Sequence, residues 1–332
     1  MLISSRAGVR CSGSRAKSGT AGRHLMGVDV AMTSERSAPC SYTPLTEEER
    51  RQRAENTGGE PILDFDVANG SESTAYIGYH HVDALLALQH PRTSEPAELS
   101  FYITGQIQEL LFKLLFTEVN RVRDLLFADD LDEALRYLQR VEGVQRVLTT
   151  TWEPLSTMTT TEFASFRDQL GSASGIQSYM YRQLEFALGN KAPRMAEPYQ
   201  PVAWAHEQVM SALRAPSLYD AALGVLRRRG LGVPAHCVER DFAAPYQPHA
   251  AVEQAWAQVY RSPREYRGLL ALAEALSDVN HHYAQWRYTH LLIVERILGH
   301  KPGSGGTSGV SWLRKVAEHR FFPELLAART AI

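Results

Sequence analysis

The sequence predicts an all-α fold, and three observations support that prediction. No stretch of useful length alternates polar and apolar residues with the two-residue period of a β-strand. Between Phe101 and Phe127, apolar residues recur every three or four positions, as they do on one face of a helix. Helix start signals also occur along the chain, such as the capping-box spacing of Thr159 and Glu162.

The predicted helices follow one another with few interruptions. Phe112 and Phe116 widen the apolar face of the helix at 101–127, so this helix is expected to be buried on most sides. Asp129 or Asp130 is suited to cap the helix that comes next. After a short helix at 46–54, apolar periodicity and glycine stop signals predict helices at 101–127, 131–148, 162–170, 176–188, 201–213, 217–229, 251–261 and 263–298.

Composition excludes several classes of protein. The 332 residues are 44% hydrophobic, and 35 Lys and Arg nearly balance 37 Asp and Glu, which argues against nucleic acid or an acidic membrane as partner. No apolar run approaches the roughly 20 residues needed to span a bilayer. Cys11, Cys40 and Cys237 lack metal-ligand spacing, so we expect neither a disulfide framework nor a zinc site. This use of cysteine favours a cytoplasmic location.

The N-terminal part of the chain differs from the rest. Residues 1–60 are rich in Ser, Gly, Arg and Glu, so we expect a disordered tail followed by one all-α domain at 61–332. The first 25 residues are basic without a single acid, as in a transit peptide or in a leader upstream of a true start at Met26 or Met32. The lack of an amphipathic apolar face favours the leader.

A histidine and a glycine-rich loop near the C-terminus are candidates for a ligand site. His290 follows Trp286 and Arg287 on an apolar helix, where a lone histidine is usually a core residue. One imidazole in an apolar pocket can also hold a haem iron. The loop at 303–309 carries hydroxyls and can either wrap a small polar ligand or serve as a surface linker, but it lacks the ending of a P-loop.

Arg167 is a second candidate, because it follows two aromatic residues on a short helix. Its guanidinium can bind a carboxylate with two hydrogen bonds while Phe163 and Phe166 stack on an aromatic substrate. The ordinary alternative is a solvated arginine beside Asp168.

Several long motifs resemble one family. In order and with near-family spacing, segments between about residues 76 and 328 closely resemble tryptophan 2,3-dioxygenases: Leu155-Ser156-Thr157-Met158-Thr159, Glu162-Phe163, Phe166-Arg167-Asp168, Ser172-Ala173-Ser174-Gly175-Ile176-Gln177-Ser178, Tyr181-Arg182-Gln183-Leu184-Glu185, Leu188-Gly189-Asn190-Lys191, Pro216-Ser217-Leu218-Tyr219-Asp220, Trp286-Arg287 with His290, Glu295-Arg296 with Gly299, and the glycine loop with Trp312-Leu313-Arg314. The resemblance implies a helical bundle of the haem dioxygenase type, a homotetramer and one haem b with its iron in each subunit.

The resemblance also implies roles for individual residues. His290 would be the proximal axial ligand of the haem iron, and Arg167 would bind the substrate carboxylate. Ser304 stands where the family usually has a threonine that meets the substrate ammonium and carboxylate groups. Phe101 and Phe163 would line the indole pocket, Phe163 at a position that is tyrosine in some members.

Three further positions bear on the implied site. Tyr76 and Tyr79 resemble the tyrosines that reach into a neighbouring subunit's site. Gly105 occupies the position of a distal histidine that accepts the indole N–H in the family, and related indoleamine dioxygenases have serine there. Losing one buried hydrogen-bond partner costs about 1–3 kcal/mol, and a glycine also opens space for a substituted ring.

The resemblance implies an oxidoreductase of tryptophan catabolism. The expected reaction inserts dioxygen into the indole C2–C3 bond of L-tryptophan or a substituted tryptophan, giving an N-formylkynurenine-type product. Insertion of one oxygen, to give a 2-oxindole or a hydroxylated product, is the alternative that Gly105 favours. A third possibility is a silent haem-binding sensor, against which the amino-acid-binding residues Arg167 and Ser304 speak.

Overall fold

The computed structural model describes residues 46–56, 58, 74–303 and 305–332. Regular structure in these ranges is helical, without a β-strand, so the predicted all-α class is confirmed. The chain divides into two compact units, residues 1–80 and residues 81–332. Most of the predicted disordered tail lies outside the described residues, and its boundary with the domain at residue 60 stays a prediction.

The first unit contains two described helices. Helix α1 (Glu47–Asn56) covers the short helix predicted at 46–54 and opens with Thr46, whose hydroxyl accepts from the backbone N–H of Glu49 at 3.3 Å. Helix α2 (Ala75–His80) carries Tyr76 and Tyr79, which are 67% and 82% exposed.

The second unit is built from thirteen helices in the described ranges, joined by turns and short 3₁₀ segments. They are α3 (Val82–Leu86), α4 (Pro96–Phe127), α5 (Leu131–Thr150), α6 (Glu153–Ser156), α7 (Thr160–Arg167), α8 (Tyr179–Leu188), α9 (Ala203–Arg214), α10 (Leu218–Arg228), α11 (Ala235–Val238), α12 (Ala250–Arg261), α13 (Arg267–Leu298), α14 (Val310–Glu318) and α15 (Pro323–Thr330).

Local sequence signals set several helix ends. The Asp130 side chain accepts from the backbone N–H of Glu133 at 3.2 Å and caps α5. Thr159 and Glu162 form the predicted capping box at the start of α7. Gly189 ends α8 with φ 113°, a left-handed conformation that glycine adopts without a Cβ penalty.

Other boundaries differ from the prediction. The helix predicted at 176–188 is interrupted, because the Ser178 hydroxyl accepts the N–H of Tyr181 and starts α8 anew after a 3₁₀ turn at Gly175–Gln177. The helix predicted from 263 starts at Arg267 instead. The prediction did not include α14 and α15, which lie at the C-terminus.

Helices α4, α5 and α13 form the centre of the second unit. Helix α5 packs between α4 and α13, while α8 and α10 pack against α4. Their contacts are made by fully buried aliphatic side chains spaced three, four or seven residues apart: Leu115, Val122, Leu126, Leu138, Val141, Leu148, Leu272, Leu276 and Val279. These three helices therefore form the core of the unit, and α8 and α10 are positioned by packing against α4.

One face of α4 is exposed, so the expectation that this helix is buried on most sides was wrong for that face. Its apolar residues are 38–53% exposed and form a stripe at Leu99, Ile103, Ile107, Leu110 and Leu114. At about 100° per residue these five positions fall within a sector roughly 80° wide. The packing partners of α4 lie on its other sides, so the apolar face lacks a cover within the described part of this unit.

Two further features concern the unit as a whole. Within the described ranges, none of the helices combines the length and the apolar character that crossing a membrane requires. Cys237 is buried as a free thiol, and Cys11 and Cys40 lie outside the described residues.

Candidate active site

A cavity of about 540 Å³ opens inside the second unit, within the size range of small-molecule sites. Its walls come from α4, α7, α8, α13 and α14, from the α5–α6 junction and from the glycine-rich loop. Apolar side chains dominate these walls, among them Phe112, Leu155, Met158, Ile293 and Ile297. Such a cavity suits a large and mostly apolar group.

His290 lies on α13 with its ring facing this cavity. The imidazole is parallel to the indole of Trp152, with ring centroids 4.5 Å apart and an interplanar angle of 4°. The indole of Trp286 packs on it as well, with centroids 6.1 Å apart. Burial lowers the pKa of His290 to about 4, so its ring is neutral at pH 7 and keeps a lone pair for a ligand.

Helix α7 brings Phe163 to the cavity and ends at Arg167. Phe101, Phe163 and Phe166 form a cluster with centroids 5.2–5.8 Å apart, in which Phe101 and Phe163 line the cavity and Phe166 is fully buried. An aromatic wall of this kind can hold a flat ring by edge and face contacts.

Arg167 lies next to the cavity without lining it. Its Nη2 donates to the carbonyl of Pro302 at 2.5 Å, at the entry to the glycine-rich loop. Among the described residues it forms no ion pair with its sequence neighbour Asp168. The guanidinium therefore connects α7 to the loop.

The glycine-rich loop packs against the cavity wall instead of forming a free linker. A Cβ on Gly305 would lie 2.7 Å from the Ser174 hydroxyl, and one on Gly309 would lie 2.6 Å from the Lys301 carbonyl. Gly309 also has φ 64°. A side chain at Gly305 or Gly309 would therefore clash with neighbouring atoms of the wall or the loop. Ser304 lies outside the described residues.

Gly105 lies on the α4 wall of the cavity and, as a glycine, places no side chain there. A Cβ placed there would meet no heavy atom within 4 Å. One turn further along the helix, Glu109 lines the same wall, and burial raises the pKa of its carboxyl group, an effect that the nearby Ser178 hydroxyl offsets only in part. The cavity therefore has open space beside Gly105 and a carboxyl group next to that space.

A buried charge network adjoins the cavity, and the sequence did not indicate it. Glu185 accepts from Arg287 Nη2 at 2.5 Å, from the Tyr181 hydroxyl at 3.1 Å and from Arg182 Nη1. Arg182, Arg287 and Glu185 are each less than 10% exposed. The motif at 181–185 was recognised, but its pairing with a residue 102 positions away depends on how α8 and α13 meet.

The residues at the cavity fit a haem group. Within the described ranges there is no cluster of three or more His, Cys, Asp or Glu able to hold a bare metal ion. Haem needs one strong axial ligand and an apolar pocket, and neutral His290 among aromatic and aliphatic walls supplies both. The indole N–H groups of Trp152 and Trp286 and the Nε atoms of Arg182 and Arg287 are buried without a partner in the described part of the chain.

Comparison with known proteins identifies the family of the chain. The family model described as tryptophan 2,3-dioxygenase matches residues 63–210 and 210–332. The tryptophan 2,3-dioxygenase of Polaromonas sp. strain JS666 is 45% identical over 268 residues, which cover 81% of this chain and 90% of that protein.

Two further relatives carry the same name. The tryptophan 2,3-dioxygenase of Ralstonia pickettii strain 12J is 42% identical over 268 residues, covering 81% of this chain and 95% of the relative. That of Bacillus thuringiensis subsp. konkukian is 41% identical over 261 residues, covering 79% and 94%. The chain belongs to the tryptophan 2,3-dioxygenase family, a family of haem-dependent dioxygenases.

Proposed function

We propose that the protein binds haem b through His290 and inserts dioxygen into the indole C2–C3 bond of L-tryptophan or a substituted tryptophan. The product is of the N-formylkynurenine type. The observation that carries the proposal is the neutral imidazole of His290, which faces an apolar cavity next to an aromatic wall. The names of the relatives support tryptophan as the substrate.

The protein's own part in this reaction is to hold the groups and exclude water. When bound, haem supplies the oxygen chemistry, and the protein supplies orientation and a dry pocket. His290 would hold the haem iron through its ring nitrogen, and its stack on Trp152 orients that ring. Phe112, Leu155 and Ile293 are among the apolar side chains that keep water away.

The substrate's two ends are bound by different groups. Phe101 and Phe163 hold the indole ring by aromatic contacts. Arg167 binds the carboxylate with its guanidinium, exchanging its contact with the Pro302 carbonyl for a charge-assisted one. Ser304 binds the ammonium and carboxylate groups with its hydroxyl, and Thr307 of the same loop lines the cavity.

Gly105 favours a second candidate reaction. The family's distal histidine is absent, and the space beside Gly105 is open, so the substrate can shift and the product can change. Insertion of a single oxygen atom of dioxygen would give a 2-oxindole or a hydroxylated tryptophan, and the second atom would leave as water after reduction by an external two-electron donor. The same open space would accept a ring that carries a substituent.

The mass of the product tests these alternatives. Reduced, haem-loaded protein is given L-tryptophan and isotopically labelled dioxygen, and the product is analysed by mass spectrometry. Two labelled oxygens in the product support the dioxygenase, and one supports the alternative. Absence of turnover with tryptophan and with substituted tryptophans contradicts both and leaves the haem-binding sensor.

We infer that the chain assembles with copies of itself, and that the α4 stripe is one contact. Leu99 and Ile103 lie on one side of Ile107, and Leu110 and Leu114 lie on the other. A two-fold axis across the centre of the stripe therefore places it against itself, as symmetric dimers require. Membership in the family supports a homotetramer, in which Tyr76 and Tyr79 reach a neighbouring subunit's site.

A further inference from the structure

On the α4 wall of the cavity, a position without a side chain lies one helical turn before a possible hydrogen-bond acceptor. Gly105 leaves the helix surface bare, because a Cβ there would have no neighbour within 4 Å. Glu109 follows four residues later, so the two positions lie on the same face about one turn apart. Both residues line the cavity.

The direction of helical side chains brings the carboxyl group of Glu109 toward this gap. In an α-helix each side chain leans toward the N-terminus and covers the turn before its own Cα. The turn before Glu109 is the one that contains Gly105, where no side chain blocks the way. A ring placed over Gly105 therefore comes within reach of the Glu109 carboxyl group.

The present contacts of Glu109 leave it able to accept another hydrogen bond. Its carboxyl group lies near the Ser178 hydroxyl, which accepts the N–H of Tyr181 at 3.0 Å. Ion pairs among the described residues involve other carboxylates of the region, such as Glu185, but not Glu109. A carboxylate has about four lone-pair sites, and a single hydroxyl such as that of Ser178 can donate to at most one of them.

The other polar side chains on this wall are weaker candidates. The Gln108 amide lines the cavity as well, but it already donates to the Thr151 hydroxyl at 3.1 Å and is 7% exposed. Thr104 is 3% exposed and offers a neutral hydroxyl. Hydrogen bonds to an ionised acceptor are roughly twice as strong as those between neutral groups, which favours the carboxylate.

We propose that the carboxylate of Glu109 accepts the ring N–H of the substrate across the space that Gly105 leaves open. Glu109 is thus a specificity-determining residue that selects rings with a hydrogen-bond donor at this place. The inference rests on the proposed function, since it requires that the cavity binds a tryptophan-like molecule.

The test compares two ligands that differ in one group. L-Tryptophan and its benzofuran analogue, in which a ring oxygen replaces the N–H, are titrated into the haem-loaded protein, and each Kd is read from the haem absorption. We expect the wild type to prefer tryptophan about ten-fold, the effect of one buried hydrogen bond to a charged group.

Variants then assign the preference to one side chain. Glu109→Met keeps the length of the side chain without an acceptor and should abolish the preference while leaving the Kd of the benzofuran analogue nearly unchanged. Glu109→Gln keeps a neutral acceptor and should give an intermediate preference. Glu118→Gln, on the same helix but outside the cavity lining, serves as the matched control.

The remaining outcomes would contradict either the role of Glu109 or the proposed function. Equal weakening of both ligands in Glu109→Met, or an unchanged preference in Glu109→Gln, assigns Glu109 to wall packing and overturns the inference. Loss of the preference in Thr104→Val alone assigns the acceptor to Thr104 and overturns it too. If neither ligand binds to the wild type, the proposed function itself fails.

Discussion

The imidazole of His290 is stacked on the indole of Trp152, with centroids 4.5 Å apart and planes 4° apart. The two residues belong to different parts of the unit, since His290 lies on α13 and Trp152 follows α5. A half-buried ring that is held on one face by an indole has little rotational freedom. The stack therefore fixes the direction in which the His290 nitrogen points into the cavity.

Replacing Trp152 should weaken the attachment of haem. Trp152→Ala removes the stacked indole and leaves a space beside His290, so the imidazole loses its fixed orientation. We expect faster loss of haem in a transfer assay to a haem-scavenging protein, and a smaller effect for Trp152→Phe, which keeps a ring. The control is Trp204→Ala, because Trp204 is 58% exposed and absent from the cavity lining. Equal haem loss in all three variants would contradict a role for the stack.

Replacing Arg167 should affect ligands with a carboxylate most. A charge-assisted hydrogen bond is worth about 1.5–3 kcal/mol, so Arg167→Ala should raise the Kd of L-tryptophan roughly ten- to hundred-fold. Tryptamine, which lacks the carboxylate, should change little. Arg214→Ala, at the end of α9, is the control. A similar loss for both ligands would mean that Arg167 acts only by holding the Pro302 carbonyl.

Sequence and structure agree where the controlling interaction is local. The caps at Asp130 and Thr159 and the stop at Gly189 depend on residues within one turn, so the sequence predicts them well. The 3₁₀ break before Ser178 was missed, because a serine inside an apolar run has no unique local meaning.

Contacts between distant residues were beyond a sequence-based prediction. The pairing of Glu185 with Arg287 and the stack of Trp152 on His290 exist only because α8, α13 and the end of α5 meet at the cavity. Motif resemblance identified His290, Arg167 and Gly105 as candidates. It did not indicate that Arg167 binds the Pro302 carbonyl or that Glu109 lines the cavity.

The stability of the protein should depend on the protonation of His319. Burial, and then the nearby charge of Arg287, lowers the pKa of His319 from 6.5 to about 4. Between these values the unfolded chain binds more protons than the folded one, so the free energy of unfolding falls as the pH drops from 6.5 to 4. The largest contribution is about 3 kcal/mol, at 1.36 kcal/mol per pKa unit.

Urea titrations of the wild type and of His319→Gln between pH 5 and pH 7.5 measure this dependence. The variant has no titrating group at 319, so its free energy of unfolding should fall less steeply toward acid. Parallel curves for the two proteins would show that His319 does not contribute.

Charges on the α4 stripe should dissociate the oligomer. Ile107→Lys combined with Leu110→Lys places two cations on an apolar face, where burial against a second copy becomes unfavourable. We expect a smaller mass by light scattering after size-exclusion chromatography, with unchanged helix content. Leu326→Lys, at an exposed leucine of α15, is the matched control. An unchanged mass in the double variant would exclude the stripe as an interface.

Restoring a side chain at Gly105 should narrow the choice of ligands. The open space beside Gly105 accepts a new Cβ without a contact within 4 Å, so Gly105→His can place an imidazole over the ring site. That imidazole supplies an acceptor for the ring N–H and fills the volume that a ring substituent would use. We expect tighter binding of L-tryptophan and at least ten-fold weaker binding of 1-methyl-L-tryptophan, from one lost hydrogen bond and a steric clash.

Gly105→Ala fills part of the space without an acceptor and should change the affinity for tryptophan little. Because the new imidazole replaces the acceptor at Glu109, adding Glu109→Met to Gly105→His should have a smaller effect than Glu109→Met alone.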